Sequence, residues 1–279
     1  MTVQIEIVSY EGIDRRFLAQ VRAWANEVLE KSNLLSTPPY MLITIWKNNE
    51  ELLDFYRNEK EALGVVTGEE IEFLATHEAW RGYPRVHISQ ERIEGISASV
   101  IQGVLHHEIG HTLLHGSPEF YEFHFTNRLQ EAGLPKGIDL QVLQQCVYFL
   151  SIAIKDWDVV KWLSELGLGY GQQALLEYLM IDTEEEQQVW DIARNSPIHI
   201  RIAIAAFLKI ILPIEAMISV AFEGAQNLKG RWYEAYSWLS ERERTGLFRL
   251  CKKIAEYEGR IFQERLEYGA LQLITEPFN

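Results

Sequence analysis

The chain opens on a two-residue alternation. Val3, Ile5 and Ile7 point one way, Gln4 and Glu6 the other, the pattern of a half-buried strand. Asp14 stands where a helix needs a cap, and Phe17, Leu18, Val21, Trp24, Val28 and Leu29 follow at helical spacing. Pro38-Pro39 closes that stretch, because proline lacks the N–H a helix requires. Tyr40 to Trp46 is aromatic and β-branched, which predicts a second strand. Asn48-Asn49 then turns the chain into a polar helix carrying Leu52, Leu53 and Phe55. Residues 62–76 read as mixed short elements. Arg85 to Ser89 reads as another strand, and Pro84 at its start suits a sheet edge.

The period then changes. Ile96, Val100, Ile101, Val104, Leu105, Ile109 and Leu113 form an apolar helical stripe that Gly116 and Pro118 stop. Residues 119–131 are charged and aromatic and read as helical. Gly133, Pro135 and Gly137 mark a loop. A long apolar helix runs from Leu140 to Ile154 and on through Asp156-Trp157-Asp158 to Leu166. Gly167, Gly169 and Gly171 form a hinge-like link. Beyond it the pattern predicts helices over 172–181, 184–194, 198–222, 229–241 and 246–273. The expected fold is therefore α+β and predominantly helical. Its α+β part covers residues 1–166, and 167–279 form a helical domain or an extension packed on the first.

Ile198 to Phe222 is apolar enough to raise the question of a membrane span. Arg201, Lys209 and Glu215 interrupt it and Pro213 would kink it, so a buried helix is the expectation. Lys and Arg number 26 against 40 Asp and Glu, a formal charge of −14 that repels phosphate backbones and disfavours nucleic acid as a partner. Two cysteines, Cys146 and Cys251, exclude a disulfide scaffold and read as buried thiols in a reducing compartment. The first residues lack the basic start and apolar core of a secretory signal, so the expected location is cytoplasmic.

Candidate chemistry concentrates in His106-His107-Glu108-Ile109-Gly110-His111. Residues 107–111 spell H-E-x-x-H. On a helix, positions i and i+4 share a face one turn apart, so both imidazoles reach one zinc ion while Glu108 stands beside it to activate water. His106 points about 100° away and does not share the ion.

The stretch HHEIGHTLLHG resembles the active-site helix of the zincin metallopeptidases, gluzincin-like and minimal H-E-x-x-H domains above all. The resemblance covers residues 1–166. It implies a small mixed sheet whose edge strand lines a peptide-binding cleft, a role the strand at 85–89 would take. It further implies His107 and His111 as zinc ligands and Glu108 as general base and proton shuttle. In gluzincin-like enzymes a later helix donates an acidic third ligand.

In this chain the later helix carries Asp156 at the end of its apolar run, which makes Asp156 the favoured third ligand. Asp158, Glu119, Glu122, His124, Glu165 and His115 are the alternatives. His115 continues the same helix and would sit about 12 Å along the axis from His107, too far for one ion to collect all three histidines. His77 and His87 flank the 85–89 strand, where structural roles outweigh substrate contact. Tyr121 and Tyr148 are candidate oxyanion donors. The leading expectation is a zinc-dependent peptidase acting on peptide or protein substrates. The alternative is a metal-binding regulatory or interaction protein with little or no proteolysis, meeting a protein partner through its helical region.

Overall fold

The structure, a computed structural model, describes residues 3–10, 12–32, 34, 37–65, 73–123, 125–257, 259 and 261–276. Strand β1 (Gln4–Ser9) shows the expected alternation of exposed and half-buried positions. The Asp14 carboxylate accepts from Arg16 N at 2.9 Å and starts helix α1 (Arg15–Lys31). Strand β2 (Tyr40–Trp46) follows, and Asn48 caps α2 (Asn49–Leu63) by accepting from Glu51 N. Next come β3 (Ala75–Glu78), β4 (Arg85–Ser89), the short α3 (Gln90–Ile93) and α4 (Ala98–Leu114).

The four strands form one mixed sheet in the order β1-β2-β4-β3. β1, β2 and β4 run parallel, and β3 pairs antiparallel with β4. The strand at 85–89 is therefore central, correcting the edge position read from Pro84. That proline precedes the strand, so its missing N–H costs no ladder bond, and its carbonyl accepts from Leu42 N at 3.2 Å. All five residues of β4 are buried, and the two edges of the sheet are β1 and β3.

Alternation separates the two faces of this sheet. Met41 lies under α4, where the Thr112 hydroxyl reaches its sulfur at 3.6 Å. On the opposite face Trp46 packs with Leu52 and Tyr56 of α2. The β3–β4 register pairs His77 with Val86 and Glu78 with Arg85. His77 thereby shares a face with α4, while Thr76 and Glu78 share the α2 face.

Two compact units emerge. The first comprises residues 1–121 and 165–175, the second 122–164 and 176–279. Most of the helix that sequence placed in the first part thus belongs to the second unit, because its stripe of Leu143, Val147, Leu150 and Ile154 joins that unit's core. This helix, α6, runs unbroken from Leu140 to Glu165. The segment 119–131 is helical only in a single turn at Pro118–Phe120 and in α5 (Asn127–Gly133). The proposed hinge at the glycines is instead the start of α7 (Gly169–Leu179), with Gly167 in the left-handed region at φ 76°.

The second unit continues with α8 (Glu184–Ala193), α9 (His199–Ser219), α10 (Ala225–Ala235), α11 (Glu241–Ala255) and α12 (Phe262–Thr275). The single helix expected over 246–273 is two, parted around Gly259. α9 is long and apolar enough to cross a membrane, yet Ile204, Leu208, Ile211 and Ile214 are fully buried in this unit's core. Cys146 and Cys251 are free and buried there, as expected. The described residues make a predominantly helical α+β protein.

Candidate metal centre

α4 holds the site. It begins after Ser97 and ends at Leu114, where His115 occupies the C-cap with its N–H on His111 O at 2.7 Å. Gly116 follows of necessity, since a Cβ there would lie 2.2 Å from Thr112 O. One turn apart on this helix, His107 and His111 turn their Nε2 atoms toward each other at 3.0 Å.

The hydrogen-bond chain behind His107 fixes its tautomer. Gln172 on α7 is fully buried, and its Nε2 donates to Gly103 O at 2.9 Å. That bond leaves its Oε1, an acceptor only, facing His107 Nδ1 at 3.0 Å. A proton on His107 Nδ1 donates to this oxygen, and Nε2 is the nitrogen turned toward His111. α7 can come this close because Gly171 meets α4 at Gly103, where an added Cβ would stand 2.1 Å from Gly171 O.

His111 has a histidine near each ring nitrogen. Its Nε2–H can donate to His107, or its proton can move to Nδ1, which lies 3.3 Å from His115 Nδ1. The second aims both Nε2 lone pairs at one point, as two imidazoles that share a cation would. Two imidazoles bound tetrahedrally at 2.0–2.1 Å place their nitrogens about 3.3 Å apart. The observed 3.0 Å needs a few tenths of an ångström of opening, so the pair suits zinc. His107 also has the partner that ligating histidines usually have on their second nitrogen.

Glu108 is engaged by a residue that local sequence reasoning placed outside the chemistry. His77 Nδ1 lies 2.6 Å from Glu108 Oε2, and a proton on Nδ1 donates to the carboxylate. The His77 ring also stacks on His111, with centroids 4.2 Å apart and planes 12° from parallel. The next residue fastens this strand from the other face. Glu78 is 2 % exposed, accepts from Trp80 N at 2.8 Å and is bonded by Arg85. Trp46 Nε1–H donates to His87 Nδ1 at 3.2 Å, so His87 turns Nε2–H toward Glu78 at 3.3 Å. Burial pushes the Glu78 carboxyl up, but the bonds from His87 and Arg85 outweigh it and hold the group below its usual range. His87 thus links Trp46 to Glu78 on the α2 face of the sheet.

Tyr121 belongs to the same unit, its ring centroid 6.5 Å from that of His77. Burial, then the negative charges of Glu108 and Glu78, push its phenol up, so it remains a proton donor. Tyr148 lies on α6 in the second unit, and its carbonyl accepts from Ser151 Oγ. His106 faces α1, with Nε2 3.5 Å from Glu27 Oε2, and takes no part in the pair.

The third-ligand candidates lie on several different elements. His115 lies on the Nδ1 side of His111, away from the facing Nε2 atoms, and its ring meets Phe120 edge-on. Glu119 is exposed and held by Ser117. Glu122 and Glu165 are exposed, and His124 lies outside the described residues. Asp156 and Asp158 are on α6 in the second unit. Asp158 accepts from Arg265 at 2.6 Å, and Arg265 also covers Trp157 at 4.8 Å. No family model matches this chain, and neither a curated protein nor a solved structure matches it.

Proposed function

We propose that the chain is a zinc-dependent metallopeptidase of zincin type, working on peptide or protein substrates in the cytoplasm. The observation that carries the reading is the facing pair of Nε2 atoms on α4, 3.0 Å apart, with the His107 ring held by Gln172 at its other nitrogen. His107 and His111 are the proposed zinc ligands. Asp156 is proposed as the third, on the strength of an acid closing a long apolar run whose neighbour Asp158 is committed to Arg265. The mixed sheet supports the same reading, with β3 replacing the 85–89 strand as the edge that an extended substrate would line.

Bound zinc would supply a Lewis acid that polarises the scissile carbonyl and acidifies water. Glu108 takes the proton of the attacking water and passes it to the leaving nitrogen. Tyr121, protonated at neutral pH, is the candidate donor to the developing oxyanion. The acidic surface gives no support to a nucleic-acid partner.

The experiment is Glu108→Gln. The variant should keep zinc at the wild-type stoichiometry and lose hydrolysis of casein and of a mixed peptide library by about 10³-fold or more. Retained turnover would remove Glu108 from the chemistry. Zinc bound by a wild-type protein that cleaves nothing would favour the metal-binding regulatory or interaction protein.

A further inference from the structure

We infer that His77 is the positioning residue for Glu108: its Nδ1–H holds carboxylate oxygen Oε2, so that Oε1 is presented to the attacking water. The inference rests on the peptidase reading of α4 and adds a residue that H-E-x-x-H does not contain. Four observations carry it. The two atoms are 2.6 Å apart, close enough for a direct hydrogen bond with no water between them. The ring is clamped flat against His111, which removes the freedom to swing away. Strand alternation sends His77 to the α4 face while Glu78, its neighbour, is fixed on the opposite face by Arg85, His87 and Trp80 N. Both partners are mostly shielded, with side-chain exposures of 16 % for His77 and 14 % for Glu108, so water competes weakly for the bond.

A carboxylate on a flexible side chain has rotamers that aim it away from its task. One oxygen tied to a strand that cannot rotate leaves the other with a single direction. Holding reacting groups in place is worth much in rate, and a displacement of about 1 Å can cost about 10²-fold.

Two variants separate the donor from the stack. In His77→Asn the side-chain amide nitrogen occupies the place of Nδ1 but the ring is lost. In His77→Phe the ring remains to stack on His111 and the donor is gone. Both are assayed as the zinc-loaded full-length protein with casein as probe, beside wild type and Glu108→Gln. The expected result is a fall in kcat of about 10²-fold for His77→Phe, at unchanged KM and zinc stoichiometry, with His77→Asn within about fivefold of wild type.

Wild-type turnover by His77→Phe, or equal losses in both variants, would overturn the inference while leaving Glu108→Gln to judge the peptidase reading. Should wild type cleave nothing, that reading fails alone. The positioning is then decided by long-range 15N–1H spectra of the imidazoles. A protonated Nδ1 on His77 that shifts in Glu108→Ala supports it; a bare Nδ1, or a signal indifferent to Glu108, refutes it.

Discussion

Replacing Gln172 by leucine should weaken zinc binding and folding together, for separable reasons. The side chain is fully buried and makes two bonds, from His107 Nδ1–H at 3.0 Å and to Gly103 O at 2.9 Å. Leucine has a similar volume and neither group. The stranded His107 N–H costs about 1–3 kcal/mol, and the Gly103 carbonyl, which keeps its helical bond, loses about 1 kcal/mol more. Leucine's apolar contacts return part of this, so a net destabilisation of about 2 kcal/mol is expected. Zinc affinity should fall by about 10–100-fold, the usual cost of removing a partner that orients a metal-binding imidazole.

Calorimetric zinc titration against a competing chelator measures the second effect, and urea unfolding of the metal-free chain the first. Gln172→Glu is the control. It still accepts from His107 but cannot donate to Gly103 O, so it should lose stability and keep its zinc affinity. Unchanged zinc affinity in Gln172→Leu, beside a lowered urea midpoint, would refute the tautomer argument and leave Gln172 a packing residue.

Further outcomes follow from the same contacts. Gly103→Ala would drive a Cβ to 2.1 Å from the backbone oxygen of Gly171 and should cost about 2 kcal/mol despite a gain of about 1 kcal/mol in helix propensity. Gly230→Ala on α10 has open space around its Cβ and should gain up to about 1 kcal/mol, so urea midpoints moving the same way in both would contradict this. Burial lowers the His106 imidazole to about 4, with Glu27 opposing in part. A base depressed on folding is protonated first in the unfolded chain, so its contribution is intact above pH 6.5 and erodes as pH falls toward 4. Between pH 7.5 and 5 the metal-free wild type should lose about 2 kcal/mol relative to His106→Leu, and parallel stability curves for the two would show that burial is not the cause.

Local signals in the sequence carried the helix of the site and little of what surrounds it. The Asp14 cap, the β2 run and the α4 stripe depend on neighbours within a few residues, and each formed where its pattern stood. Strand order depends on pairings far apart in the chain. Pro84 marked a strand end and not a sheet edge, because a proline outside the ladder forfeits nothing. β3 is four residues, Ala-Thr-His-Glu, with too little β-branched content to announce itself, and its histidine meets Glu108 across 31 positions. Gln172 is 65 positions from His107. A usable clue was present in Gly169-Tyr170-Gly171, since glycine at the start of a helix permits a close crossing as readily as a hinge. The break near Gly259 was likewise available, as glycine inside a periodic helical pattern weakens it.

The discontinuity of the first unit has a consequence for how the protein is made. A ribosome adds about 5–20 residues per second, so the 65 positions between His107 and Gln172 take about 3–13 seconds to translate. During that interval the nascent imidazole lacks its amide lock, and α4 meets no glycine from α7. A fragment stopped at residue 121 would carry the whole H-E-x-x-H motif and yet remain in that immature condition, so a fragment meant to reproduce the first unit must bring 165–175 with it.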